Sequence, residues 1–298
     1  MLNVIKMELH RLFRTKSLYI TIGVCAGCLA LFIMLTAALM NLVDDFTATE
    51  MAVSASDAAG DLAVSASDTA DTALGITVSA NESAAVPDST NPVSFCSSYI
   101  TMLCVIFVVI FTSIFIHSFY KDGYNKNVIA CVRNRWYFQA AKAVCVAVYT
   151  ALLLVVSSVV SIVFSAIMIK SFTLDYLGVF FLFLLGEFFL LNAIGLLSAF
   201  LTELTYSKVT AIVYIMLSST SIIKALLSLV ESRLSSLLHM DVEIWKLLPS
   251  LYHGSFGMDA PDTSGNGEML LHAIVLSLVF MVIYNAAGAF LISRRDVK

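Results

Sequence analysis

The stretch LDYLGVFFLFLLGEFFLLNAIGLLSAFL, Leu174 to Leu201, holds two ionisable side chains, Asp175 at its edge and Glu187 well inside it. A bilayer core takes about 20 consecutive apolar residues in helix. This run is longer, and it is apolar around its whole circumference rather than along one stripe, so its surroundings are lipid or other helices. Five further stretches reach the same length: Ser17 to Val43, Phe95 to Phe119, Gln139 to Ile169, Val209 to Val230 and Met269 to Ile292. The remaining composition agrees. Hydrophobic residues make up 59% and charged residues 13%, which leaves too little polar surface to wet the exterior of a soluble domain. The expected fold is an all-α polytopic membrane protein with six transmembrane helices, occupying residues 17–298.

The basic residues order those helices across the membrane. Lys6, Arg11, Arg14 and Lys16 precede the first span; Lys121, Lys126, Arg133, Arg135 and Lys142 surround the second connection; Arg294, Arg295 and Lys298 follow the last span. The alternate connections reverse the sign. Asp44 to Pro92 contains nine acids and no Lys or Arg, and Glu231 to Glu268 contains six acids against Arg233 and Lys246. Lys and Arg accumulate on the cytoplasmic side, so both termini are expected there, in an inner (cytoplasmic) membrane. The first span is too long for a signal-peptide core and lacks a small-residue cleavage site, so it reads as a retained helix.

Three segments are not spans. In residues 1–16, Leu2, Ile5, Leu9, Leu12 and Phe13 recur at helical spacing, with Lys6, Glu8, Arg11 and Arg14 between them. That pattern predicts an N-terminal interfacial amphipathic helix on the cytoplasmic leaflet. Residues 44–94 form an acidic, low-complexity external loop in which AVSASD occurs at Ala52 and again at Ala63; without large apolar residues it is expected to be a disordered or weakly helical spacer. Residues 231–268 differ. Leu234, Leu237 and Leu238, then Ile244, Trp245, Leu247 and Leu248 ahead of Pro249, predict short helices at the outer interface that re-enter partway.

Several chemistries are excluded. No GxxxxGK[ST], HExxH or GxSxG occurs, so no nucleotide site and no hydrolase machinery is expected, and the chain reads as a non-enzyme with no cofactor of its own. His10, His117, His239, His253 and His272 are scattered, which gives no metal site. Cys25 and Cys28 form a CxxC inside an apolar helix, where small polarizable residues suit helix packing. No basic patch interleaved with aromatics points to nucleic acid. Glu187 stands out, because a charge at the centre of a span costs about 3 kcal/mol on insertion scales. It therefore lines a translocation path or a subunit seam, with Asn192 nearby, or is a neutral acid bonded to an adjacent helix.

The cytoplasmic loop 120–136 carries the functional signal. Val128, Ile129 and Val132 make a small apolar helical face between Gly123 and the pair Arg133 and Arg135. An exposed amphipathic turn of this kind needs a partner surface or the headgroups. With Gly123, an apolar stretch, Arg135 and Lys142 seven residues later, and with the ending Phe290, Arg294, Arg295, Asp296, the chain resembles type-2 ABC transporter permeases, including lantibiotic and antimicrobial-peptide immunity exporters. Asp122 directly precedes Gly123, and no Pro precedes Arg135, unlike the usual motif. The resemblance implies that the loop is a coupling helix on a cytosolic ABC ATPase dimer, with ATP bound by that partner. It also implies a second permease subunit, identical or homologous, in the lipid bilayer. A secondary transporter, or a membrane anchor or sensor recruiting a cytosolic protein, are the alternatives. An inverted repeat with several midplane charges would mark the first; a neighbouring kinase gene would mark the second.

Overall fold

The computed structural model describes residues 2–57, 92–121, 135–168, 177–219, 223, 226–231, 233, 244–256 and 263–294. Among these no strand occurs. α1 is Leu2–Arg14, α2 Lys16–Asp57, α3 Pro92–Lys121, α4 Arg135–Met168, α5 Leu177–Thr205 and α6 Lys208–Ser219. A 3-10 turn, Ile244–Leu247, then leads to α7, Pro249–Tyr252, a second 3-10 turn, His253–Ser255, and α8, Thr263–Arg294. Five helices are long and apolar enough to cross a membrane: α2, α3, α4, α5 and α8. In lipid such helices satisfy their own backbone groups, and the chain is an all-α, multi-pass membrane protein.

Of the fifth expected span, Val209 to Val230, the described residues give α6, helical over 12 residues. Residues 226–231 are helical again, and 220–222 and 224–225 lie outside the described residues. So do the acidic stretch 58–91 and the loop residues Gly123, Val128, Ile129, Val132 and Arg133, while Arg135 opens α4. The helix of the first span does not stop at Val43 but continues to Asp57, through a run whose Ala, Met and Glu are good helix formers.

α5 is the centre of the bundle. It packs most extensively on α8 and α3, and also on α4 and α6; α2 lies against α4 and α3. The apolar core runs through Phe111, Phe115 and Phe119 on one face of α3, with Phe111 stacked on Tyr149 of α4 at 3.8 Å between centroids. A seam of small polar groups joins the helices. Cys25 and Cys104 both reach Ser157, Cys96 reaches Ser165, and Ser113 meets Ser198 at 2.8 Å. Such interhelical bonds are worth about 0.6 kcal/mol each in a bilayer.

α1 is not simply laid on the membrane. Glu8, expected on its polar side, and Leu12 are both fully buried, against α4, whereas Phe13 remains exposed. The helix therefore divides its surface between protein, an apolar flank and a cationic flank. Thr15 makes the corner into α2: its N–H donates to Arg11 O, and Leu18 N–H donates to Thr15 O.

α5 and α6 are joined through Tyr206, whose φ of 55° is left-handed, a conformation that usually takes glycine at a helix end. Its ring meets Tyr120 edge-on at 5.1 Å, a contact glycine could not make. Tyr206→Gly trades about 1 kcal/mol of backbone strain for a ring contact of similar worth, so thermal melting in detergent is expected to change little. Tyr206→Val keeps the strain and loses the ring, and should lower stability by about 1–2 kcal/mol.

Candidate functional site

α5 carries two buried carboxylates, Glu187 and, sixteen residues on, Glu203. At 1.5 Å per residue they are about 24 Å apart along the axis, comparable with the thickness of a hydrocarbon core. Each is held by a side chain from a different part of the chain.

Glu187 is fully buried, and its Oε1 lies 2.6 Å from His253 Nε2, a hydrogen bond whichever group holds the proton. His253 begins the 3-10 turn after α7, and the segment Pro249–Phe256 is tucked into the bundle against α3, α5, α6 and α8. Its residues Pro249, Ser250, Leu251 and Tyr252 are all buried. Phe256 stacks on Phe183 of α5 at 5.8 Å. That approach requires Gly186, because a Cβ there would run into the Phe256 ring. The other oxygen of Glu187 has no hydrogen-bond partner among the described residues, so this acceptor is buried without compensation.

Asn192 does not join this pair. Its amide Nδ2 donates to Phe188 O one turn back on α5, at 3.0 Å. Of the two residues expected to line a path or a seam, only Glu187 reaches across to another element.

Glu203 accepts from Lys142 Nζ at 2.6 Å, with both side chains 1% exposed. The ammonium is enclosed by rings: its distances to the centroids of Phe138, Phe119 and Tyr120 are 4.4, 5.3 and 5.7 Å. Phe119 is also covered by the Arg11 guanidinium at 4.1 Å, and Arg11 donates to Ser118 Oγ at 3.0 Å. Rings between cations are favoured by their quadrupoles. α8 closes the cluster through Gly288, where a Cβ would lie 2.5 Å from Gln139 Nε2 and 3.1 Å from Glu203 Oε2. Five helices, α1, α3, α4, α5 and α8, thus meet around one ion pair.

His253, Lys142 and Glu203 were missed as site residues. Lys142 is counted with the basic residues around the second connection, and Glu203 lies two residues past the expected span end at Leu201. One signal could have found that pair, though not His253: a Lys placed just inside an apolar run requires a buried acid at the same depth on another helix. Against known proteins the chain stands apart. No family model, no curated protein and no solved structure matches it.

Removing one member of the Lys142–Glu203 pair strands a buried charge, so Lys142→Met or Glu203→Leu alone should lower stability by about 3–5 kcal/mol. The double variant Lys142→Met/Glu203→Leu should recover most of that loss, measured by thermal unfolding of purified protein and by membrane yield. At the other pair, Gly186→Ala should lift Phe256 and with it His253. Ser250→Cys, buried in the parent, should then react faster with a membrane-impermeant maleimide.

Proposed function

We propose that this chain is the membrane-spanning permease subunit of an ATP-driven ABC exporter. It has six spans, with both termini in the cytoplasm, in an inner membrane. α6 together with residues 226–231 would supply the sixth crossing, and the segregation of Lys and Arg supports the orientation. Two such subunits, identical or homologous, would assemble with a cytosolic ABC ATPase dimer that binds the ATP. The loop 120–136 would dock on the ATPase, with Val128, Ile129 and Val132 buried there and Arg133 and Arg135 as polar anchors.

The observation that carries this reading is the mechanical continuity of α5. The loop is bounded by the last turn of α3 and the first turns of α4, where Phe119 and Phe138 enclose the Lys142 ammonium that holds the Glu203 carboxylate. A displacement of the loop is therefore delivered to one end of α5. About 24 Å back along the same helix, Glu187 holds the Pro249–Phe256 segment through His253. A rigid helix tied at two levels suits a machine in which a motor on one side opens a closure further along by rocking packed elements. The cargo class that fits is an amphipathic or cationic compound, such as an antimicrobial peptide, with self-protection as the result. The acidic external loops are compatible with that charge.

Co-expression with a candidate ABC ATPase tests the docking. Val128→Asp/Ile129→Asp should weaken co-purification by about 30-fold or more, as for loss of an interface hot spot; undiminished association sinks the coupling role. Glu187→Gln should leave yield and ATPase association intact while lowering export, read as peptide tolerance of cells carrying the complex. Unchanged tolerance at equal protein level removes Glu187 from the transport step.

A further inference from the structure

α1 presents three faces at 100° per residue. Glu8 and Leu12 point into the protein and are fully buried. Beside them, Leu9 is half-buried and Phe13 exposed, an apolar flank. The third face lines a cavity of about 750 Å³ whose walls include Asn3, Lys6, His10, Arg11 and Arg14. Lys6, His10 and Arg14 follow one another at four-residue intervals, about 6 Å apart along the axis. All three are exposed, and no acid is among the lining residues. The one acid of α1, Glu8, is on the opposite side. Arg11 is fixed against Ser118 and the Phe119 ring, so it adds a positive wall that cannot swing away. Arg11 and Arg14 are like charges three residues apart, a spacing that disfavours a helix; an anion in the groove reverses that sign.

The position of the groove selects the anion. α1 ends at Arg14, Thr15 forms the corner, and the α2 span begins at Lys16. Arg14 therefore lies within a turn of the start of the α2 span, beside an apolar flank, and an α1 lying along the membrane surface would hold His10 and Lys6 at the same level, that of the lipid phosphates. We propose that this groove binds a phosphate group, supplied by the headgroup of an anionic phospholipid, with Lys6, His10 and Arg14 as its ligands and Arg11 as a fixed charge. The assignment does not depend on export; it requires only that α2 cross a membrane.

The full-length protein, in nanodiscs of phosphatidylcholine alone or with an equal part of phosphatidylglycerol, supplies the test. A cation at a membrane surface contributes about fivefold in partition. Native mass spectrometry should find phosphatidylglycerol retained over phosphatidylcholine, with about fivefold less preference after Lys6→Gln and none after Lys6→Gln/His10→Gln/Arg14→Gln. Thermal melting should be higher in the mixed lipid, and the triple variant should lose that difference. Lys6→Arg/His10→Arg should retain both effects, which separates loss of charge from loss of folding. Equal preference in parent and triple variant overturns the site. If inorganic phosphate added to phosphatidylcholine discs raises the melting point as much, the source is a free anion and the lipid assignment fails. If the triple variant keeps its lipid preference but loses its ATPase, the groove serves a protein instead.

Discussion

A charge inside a bundle of apolar helices must find its counterpart on another helix, and here one ion pair meets that demand for five of them. Lys142 and Glu203 are both almost without exposure, so neither can turn to water. Their desolvation is severe, and the pair endures because each partner would be worse off alone. Around it the geometry is over-determined: three rings enclose the ammonium, and Gly288 admits α8 to the same spot. An apolar replacement of equal volume could hold the helices as firmly. What the pair supplies is registry, because charge and hydrogen-bond geometry admit one vertical position of α4 against α5 where a row of leucines admits several.

At the other carboxylate the same physics has a different result. Among the described residues Glu187 is bonded through one oxygen, and its partner belongs to a short segment rather than to a long helix. A segment of four helical residues has little structure of its own, so its place depends on what it touches. Phe256 over Gly186 and His253 on Glu187 are those contacts. The two ties of α5 are therefore unequal: one is clamped by long helices, the other holds a short buried segment.

Much of the fold was legible because lipid simplifies the code. Length and hydropathy located α2, α3, α4, α5 and α8 to within a few residues at most ends, since nothing but a helix meets its backbone bonds in hydrocarbon. One boundary escaped. α2 runs on past Val43 to at least Asp57, because helix propensity, not hydropathy, carries it beyond the apolar run. Glu187 was conspicuous as a lone acid among leucines and phenylalanines, but His253 is 66 residues away and lies in a polar-looking loop. No periodicity connects them. Glu8 was misplaced for a related reason: a helical wheel separates apolar from polar, but it does not know which flank meets protein and which meets lipid.

The continuation of α2 sets the shape of one side of the molecule. From Val43, where its apolar run ends, to Asp57 the helix adds fourteen residues, about 21 Å of rod. The described part of α3 opens at Pro92, three residues before its apolar run begins at Phe95. Anything large that approaches this side of the membrane meets the α2 rod.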